Sequence, residues 1–284
     1  MRILLTGRDG QVGRSLSPRL GAWAEVVALG RAGLDLRDRD AIVRAVRESR
    51  PEVIVNAAAY TAVDRAESEE AIAREVNAEA PRVLAEEAHR FGALLVHFST
   101  DYVFDGRKPA PYVETDATAP LSAYGRTKLE GERALGASGA RHVIFRTSWI
   151  YGAGGRNFAS AILGAARAGR ELRVVSDQRG APTSSDAIAG AVDRILRDRT
   201  LRDRARGLFH LSAAGETTWH GFACALLEGA GLALPVAAIS ATEYGAAARR
   251  PANSLLDNSR FSAAFGESLP DWRRQLSAVL PAIL

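Results

Sequence analysis

The residue pair best suited to chemistry is Tyr124 and Lys128, in the segment Tyr-Gly-Arg-Thr-Lys. Residues four apart lie on one face of a helix, so the phenol and the amine are predicted to be neighbours. A free phenol has a pKa of about 10 and exchanges protons poorly near neutral pH. A nearby ammonium stabilises the phenolate and lowers that pKa. The pair is therefore suited to protonating the alkoxide that forms when hydride adds to a ketone.

The composition gives Lys128 further weight. The chain has 37 basic residues, and Lys108 and Lys128 are its only lysines, which leaves 35 arginines. An ammonium is a compact charge with several N–H donors that can hold ribose hydroxyls, whereas a guanidinium is a planar fork. We assign no catalytic role to Lys108, which lies in a predicted loop. The lysine that follows a tyrosine at helical spacing is the one predicted to act.

A third member of the site is expected at the end of an apolar run. The run Leu94–Phe98 is followed by Ser99, Thr100 and Asp101. A hydroxyl at the end of a strand can hydrogen-bond a substrate carbonyl oxygen and then its alkoxide. The residues alone leave open whether Ser99 or Thr100 does so.

A glycine-rich loop predicts a dinucleotide site. Gly7, Gly10 and Gly13 follow the first predicted strand and open the first predicted helix. Glycines let the backbone turn tightly and approach a pyrophosphate, and the helix N-terminus supplies free N–H groups. Gln11 and Val12 lie within the same loop and are expected to contact the cofactor.

The residues after the second and third strands refine the cofactor prediction. Arg31 stands where an acid would bind a ribose 2′-hydroxyl, and an arginine favours a 2′-phosphate. We therefore predict a preference for NADPH, with NADH possible. Asp35 and Leu36 are expected near the adenine. Small side chains at Ala57–Ala59 would let the cofactor lie against the backbone.

The elements that must position these residues alternate along the first half of the chain. Short apolar runs are typical of strands buried on both faces, and helical patterns separate them. This order predicts an α/β fold with a Rossmann-type doubly wound parallel sheet. The predicted strands are Ile3–Thr6, Val26–Leu29, Val53–Asn56, Leu94–Ser99 and Val143–Arg146. The predicted helices are Gln11–Leu20, Asp38–Ser49, Glu69–Phe91 and Tyr124–Leu135.

From about Tyr151 onward the pattern is less regular and predicts a smaller C-terminal substrate-binding lobe. A segment near Ser184–Arg197 is expected to return to the sheet as a helix. The predicted cofactor-binding domain is 1–146 plus about 184–212, and the predicted sugar-nucleotide-binding lobe is about 147–183 plus 213–284. The arginine-rich stretch 194–206 is expected to be a solvated helix end and loop.

Composition excludes several classes of protein. The 284 residues are 47% hydrophobic and 25% charged, which is typical of a globular protein. No apolar run is long enough to span a membrane, and the first residues lack a signal-peptide pattern, so we expect a cytoplasmic protein. The net charge of +4 is dispersed and does not predict nucleic-acid binding. Cys224 is alone, which excludes an internal disulfide, and is expected to be buried. The five histidines lack ligand spacing, so no metal site is predicted.

Taken together, these motifs resemble those of extended short-chain dehydrogenases/reductases, and more closely those of the dTDP-4-dehydrorhamnose reductase family. The resemblance covers nearly the whole chain. The segments that carry it are Gly7–Gly13, Val53–Asp64, Ser99–Phe104, Glu114–Asp116, Tyr124–Lys128, Phe145–Trp149, Asp177–Thr183 and Arg250–Ser254.

The resemblance implies a reaction and roles for residues. Family members reduce the 4-keto group of dTDP-6-deoxy-L-lyxo-4-hexulose with hydride from the nicotinamide C4, which gives dTDP-L-rhamnose. It implies Tyr124 as proton donor, Lys128 as its partner and Thr100 as the hydroxyl that orients the carbonyl. The further residues that it places are Gly10, Gln11, Val12, Ala59 and Thr61 at the cofactor, and Asp101, Trp149 and Gln178 at the substrate.

One departure from the family concerns assembly. Members often have an acid just after the glycine loop, associated in some with a Mg²⁺-bridged dimer, whereas this chain has Arg14 and Ser15. We therefore predict no metal dependence and leave monomer and homodimer open.

Two alternative functions remain. The chain could be another sugar-nucleotide reductase, epimerase or dehydratase of the superfamily, although dehydratases need an Asp-Glu pair where Asp101 is here followed by Tyr102. It could also be a non-catalytic regulatory subunit. Such a subunit would tolerate loss of active-site residues, yet Thr100, Tyr124 and Lys128 are all present.

Overall fold

A parallel six-stranded sheet forms the centre of the molecule. The computed structural model describes residues 1–284. The strands are β1 Arg2–Thr6, β2 Glu25–Leu29, β3 Val53–Asn56, β4 Leu94–Thr100, β5 His142–Thr147, β6 Ile150–Tyr151, β7 Leu172–Val175, β8 Arg179–Gly180, β9 Thr183–Ser184, β10 Gly207–His210, β11 Thr217–Thr218 and β12 Val236–Ile239. The large sheet has the order β10-β5-β4-β3-β1-β2, and every neighbouring pair in it is parallel. The predicted α/β class is confirmed, and the five predicted strands agree within one residue at each end.

Helices cover both faces of this sheet. The helices are α1 Gln11–Gly21, α2 Arg39–Ser49, α3 Val63–Ala66, α4 Glu70–Arg74, α5 Ala80–Phe91, α6 Ala123–Ala137, α7 Phe158–Arg167, α8 Ser185–Arg197, α9 Arg199–Arg204, α10 Trp219–Gly229, α11 Ala241–Tyr244, α12 Ser259–Phe265 and α13 Trp272–Ile283. Along β1, Ile3 and Leu5 join the core under α1 and α8, whereas Leu4 joins the core under α2 and α5. Successive side chains of a strand point to opposite faces, so a continuously apolar strand fills two cores.

The predicted helix over 69–91 is divided in the structure. A π-helical segment, Glu75–Glu79, separates α4 from α5. Asn77 in this segment is buried, and its amide donates to the Tyr60 carbonyl and to the Thr127 hydroxyl of α6. The wider turn brings a polar side chain into contact with α6, as π-bulges near functional sites often do.

A second core lies beyond the sheet. The parallel pair β7 and β12 and the helices α7, α10 and α13 surround Phe222 and Trp272, which are fully buried. As predicted, a helix returns to the sheet over 185–197, where α8 packs against α1. The residues Phe261 and Phe265 of α12 belong to the first core, although the predicted division places them in the C-terminal lobe. The division into two lobes otherwise stays a prediction.

Two smaller expectations are wrong. The stretch 194–206 contains a further helix, α9, because Asp198 accepts hydrogen bonds from Thr200 and Leu201 and so caps its first turn. Cys224 is exposed, because it lies on the outer face of α10 beside His220. No helix of the structure is both long and apolar enough to cross a membrane.

Candidate active site

A cavity of about 940 Å³ runs along the carboxyl edge of the large sheet. The ends of β1, β2, β4 and β5 line it, as expected for a ligand site in an open parallel sheet. The predicted site residues that line it are Gly7, Gly10, Gln11, Val12, Arg31, Asp35, Leu36, Ala57, Ala58, Ala59, Thr61, Thr100, Asp101, Tyr124 and Trp149. Three others, Gly13, Lys128 and Gln178, are buried but do not line it.

The glycine loop is built for close backbone approach. Gly7 has a φ of +72°, and a Cβ there would lie 2.5 Å from the backbone nitrogen of Ala58. A Cβ on Gly13 would lie 2.8 Å from the Cα of Arg8, so this glycine closes the loop on itself. Helix α1 begins after Gly10 without a side-chain cap, which leaves its first N–H groups free for an anion. These features fit a dinucleotide pyrophosphate.

The part of the cavity that follows β2, next to the glycine loop, carries two arginines. Arg31 lines it as predicted, and Arg37, which the sequence analysis missed, lines it too. Arg37 donates to Asp35 at 2.7 Å. The hydrogen bonds from Arg37 lower the pKa of Asp35 to about 2. The carboxylate is therefore ionised but paired, which leaves Arg31 to meet a phosphate group.

The N-terminal end of α6 is fixed from three sides. Ser122 caps the helix, since its hydroxyl accepts from the Gly125 N–H at 3.2 Å. Glu67 accepts from the Ala123 N–H at 2.8 Å. Gly125 packs so closely on the carbonyl group of Tyr102 that a Cβ there would overlap it. These contacts place Tyr124 in the first turn, facing the cavity.

Tyr124 and Lys128 occur on one helix as predicted, but their electrostatics differ from the expectation. Burial raises the pKa of Tyr124 to about 12, the Thr100 hydroxyl opposes this and Asp101 adds to it. Lys128 is buried, and its amine donates to the Phe98 carbonyl at 2.6 Å and lies 3.3 Å from the His97 ring. Burial lowers the pKa of Lys128 to about 8. The expected lowering of the Tyr124 pKa is therefore not seen, because burial outweighs any effect of an amine that is bonded elsewhere.

The two hydroxyls after the apolar run serve different neighbours. Thr100 lines the cavity, and its hydroxyl donates to Asp101 Oδ1 at 3.0 Å. Ser99 donates to Glu132 of α6 at 2.5 Å. Glu132 also accepts from Arg146 of β5 in a bidentate pair that is almost fully buried. Ser99 also borders the cavity, but its hydroxyl belongs to a polar cluster that joins β4, β5 and α6, whereas the Thr100 hydroxyl is bonded to Asp101 beside the cavity.

Aromatic residues form another wall of the cavity. Trp149 has a φ of +48°, which is unusual for a side chain with a Cβ. Its ring stacks on Trp219 with centroids 3.6 Å apart, and Phe158 lies against Trp219 at 4.6 Å. Gly180 leaves room for the indole, since a Cβ there would lie 2.5 Å from Trp149 Cζ2. Trp219 and Phe158 were not predicted from the sequence, because an aromatic residue type alone does not indicate a site.

The chain contains no group of three or more histidine, cysteine, aspartate or glutamate side chains arranged to hold a metal ion. The site thus consists of a phosphate-binding loop, a cationic end, a buried Tyr–Thr–Asp group and an aromatic wall. Such an arrangement can bind a dinucleotide beside a polar ligand and protonate an oxygen of that ligand.

Comparison with known proteins gives one consistent result. The family model described as RmlD substrate binding domain matches residues 1–284. A dTDP-4-dehydrorhamnose reductase of Burkholderia thailandensis is 45% identical over 286 residues, with 96% of each chain covered. One of Sinorhizobium fredii is 44% identical over 290 residues, with 100% of this chain and 98% of that one covered. A crystal structure of dTDP-4-dehydrorhamnose reductase from Bacillus anthracis in complex with NADP has a TM-score of 0.94 at 32% identity, covering 99% of this chain and 98% of that one.

Proposed function

The chain belongs to the RmlD substrate binding domain family, and on this premise we propose that it reduces the 4-keto group of dTDP-6-deoxy-L-lyxo-4-hexulose to give dTDP-L-rhamnose, with NADPH as the preferred reductant. The observation that carries the proposal is the meeting of Tyr124 and Thr100 in the cavity that the glycine loop lines. A ketone bound there would have a phenol and a hydroxyl at its oxygen.

The cavity fits the cofactor that the family implies. Helix α1 begins without a side-chain cap, and Gly7 has no Cβ to keep a ligand away from the backbone. Both features suit a pyrophosphate. Arg31 would hold the 2′-phosphate, Asp35 would lie near the adenine, and Ala57–Ala59 and Thr61 would lie along the dinucleotide. NADPH supplies hydride from its nicotinamide C4 when bound.

The proton step belongs to this chain's own residues. Addition of hydride to the ketone carbon leaves an alkoxide, and Tyr124 gives it the phenolic proton, so a phenolate remains. The pKa of Tyr124, raised to about 12 by burial, keeps the phenol protonated at neutral pH, so the proton is present when the alkoxide forms. The resemblance assigns Lys128 to stabilise the phenolate and to hold the nicotinamide ribose, whereas in the structure its amine donates to the Phe98 carbonyl behind the cavity lining. Thr100 donates to the carbonyl oxygen and orients it.

The substrate end of the cavity receives the sugar nucleotide in this proposal. Trp149 provides a rigid face for the hexulose, since its indole is held between Gly180 and Trp219. Asp101 lines the cavity beside Thr100 and is proposed to act on the substrate from there. Gln178 is buried and does not line the cavity, so it would act on the substrate only through other residues.

A coupled assay tests the proposal. NADPH oxidation is followed with the 4-keto-L-sugar nucleotide for the wild type, Tyr124→Phe and Tyr151→Phe. Tyr151→Phe is the matched control, because its buried hydroxyl has no hydrogen-bond partner. We expect Tyr124→Phe to lose about 10²–10⁴ in kcat while it still binds NADPH, and the control to keep its activity.

The same assay separates the alternatives. A dehydratase or epimerase would convert a sugar nucleotide without net NADPH consumption, and a regulatory subunit would show no turnover. We also propose that the enzyme acts in the cytoplasm, without metal, as a monomer or homodimer. Loss of activity or of the dimer in EDTA, with recovery in Mg²⁺, would refute independence from metal.

A further inference from the structure

Asp101 lies at the centre of a buried hydrogen-bond group. It begins the short 3₁₀ turn Asp101–Val103 that follows β4, and it is 2% exposed. Its Oδ1 accepts from the Thr100 hydroxyl at 3.0 Å, and the Tyr102 N–H donates to the same Thr100 oxygen at 3.2 Å. Its Oδ2 is buried without a hydrogen-bond partner of good geometry. Asp101 thus controls the hydroxyl that is expected to meet the substrate.

A hydroxyl has one hydrogen to give and two lone pairs to accept with. In the arrangement above, the Thr100 hydrogen goes to the Asp101 carboxylate and the Tyr102 N–H occupies one lone pair. The second lone pair then faces the cavity, where the Tyr124 phenol contacts the Thr100 hydroxyl. An ionised Asp101 cannot return a hydrogen, because a carboxylate only accepts. Thr100 would meet a carbonyl oxygen with a lone pair, and the contact would be repulsive.

Protonation of Asp101 reverses this geometry. A carboxylic acid donates one hydrogen, and the Thr100 oxygen has a lone pair free to accept it. The Thr100 hydrogen then turns toward the cavity. The result is a donor chain in which Asp101 donates to Thr100 and Thr100 donates to the substrate oxygen. Aligned donors of this kind stabilise the charge that develops on an alkoxide.

We propose that Asp101 is a positioning residue whose protonated form directs the Thr100 hydroxyl to the substrate carbonyl and whose ionised form withdraws it. The inference rests on the proposed function and deepens it. It differs from a role of Asp101 in holding a sugar hydroxyl, because it makes the carboxyl act through Thr100.

The surroundings allow both forms near neutral pH. The groups that face Asp101 are the phenols of Tyr102 and Tyr124 and the hydroxyl of Ser254. Arg250 contacts Tyr102 and is engaged by Asp64 at 2.8 Å. Burial raises the pKa of Asp101 to about 6, against the opposing hydrogen bonds of Ser254 and Thr100. The protonated form therefore predominates below about pH 6 and is lost as the pH rises above it.

The decisive variant is Asp101→Asn, because an amide has nearly the shape of the acid and keeps an N–H donor for Thr100 at every pH. We expect wild-type kcat to fall about tenfold per pH unit above the titration of Asp101. Asp101→Asn should give a kcat that no longer changes with pH across this range. Asp101→Leu, which has no donor, should lose about 10²-fold in kcat at all pH values.

Two results would overturn the inference. One is an increased KM for Asp101→Asn with an unchanged pH profile, which would show that the carboxylate binds the sugar. The other comes from infrared spectroscopy of the protein without ligands, where the C=O band of a protonated acid should appear below pH 6 in the wild type and be missing in Asp101→Asn. If no such band titrates, the proposal fails whatever the enzyme turns over. Absence of wild-type turnover with a titrating band would instead refute the proposed function.

Discussion

The buried Arg146–Glu132 pair gives a sharp test of how the catalytic helix is held. The guanidinium is 3% exposed and the carboxylate 6%, and their two hydrogen bonds are 2.9 and 2.6 Å long. Glu132→Gln keeps the volume but removes the charge, and its NH₂ group then faces a guanidinium N–H. We expect the free energy of unfolding to fall by about 3–5 kcal/mol, because an uncompensated charge stays buried. The melting temperature should fall by on the order of 10 °C.

A pair on the surface of the same helix provides the control. Arg126 and Glu70 are 2.7 Å apart, but their side chains are 42% and 30% exposed. Glu70→Gln should cost less than about 1 kcal/mol, because water already screens this pair. The two variants make the same chemical change, so the difference between them isolates the effect of burial.

Urea unfolding followed by circular dichroism measures both costs. The double variant Glu132→Leu with Arg146→Met should recover most of the lost stability, since apolar residues of similar volume often replace a buried pair without loss. The Ser99 hydroxyl then loses its acceptor, which limits the recovery by about 1–3 kcal/mol. A cost for Glu132→Gln as small as that for Glu70→Gln would refute the reasoning, because it would mean that water reaches the pair.

Three further predictions concern the site itself. Gly125→Ala should lower kcat at least about tenfold, because its Cβ would lie 3.1 Å from the Tyr102 carbonyl carbon and displace the start of α6. The control Gly136→Ala adds a Cβ with nothing within 4 Å and should stabilise the helix by up to about 1 kcal/mol. Equal kcat values for the two variants would contradict this. Arg31→Ala should lower kcat/KM for NADPH by about ten- to a hundredfold and leave kcat/KM for NADH unchanged, since a charged hydrogen bond contributes about 1.5–3 kcal/mol. Equal losses with both cofactors would show that Arg31 does not contact the 2′-phosphate. Trp219→Leu should raise the KM for the sugar nucleotide about tenfold without changing the KM for NADPH, because Trp149 loses the ring that it stacks on. An unchanged near-ultraviolet circular dichroism spectrum would contradict the stacking.

The features that the sequence determined by itself depend on interactions between residues that are near one another along the chain. The alternation of apolar runs and helical patterns predicts a parallel sheet, because buried strands and amphipathic helices have different periods. The glycine loop and the helical spacing of Tyr124 and Lys128 involve neighbours within a few residues of one another. The strand bounds and the carboxyl-edge cavity followed from these features, and the structure has both.

Only the tertiary structure decided the environment of these residues. Tyr124 has a raised pKa because distant segments bury it, and the Lys128 amine is bonded to β4. Trp149 meets Trp219 across 70 positions of sequence because β8 pairs with β11 immediately before α10. The Ser99 and Thr100 hydroxyls bond different partners, Glu132 and Asp101, because successive residues of a strand point to opposite faces. Burial and contact between remote segments are properties of the packed chain, so spacing along the sequence identifies the reacting groups but leaves their charge states and partners undetermined.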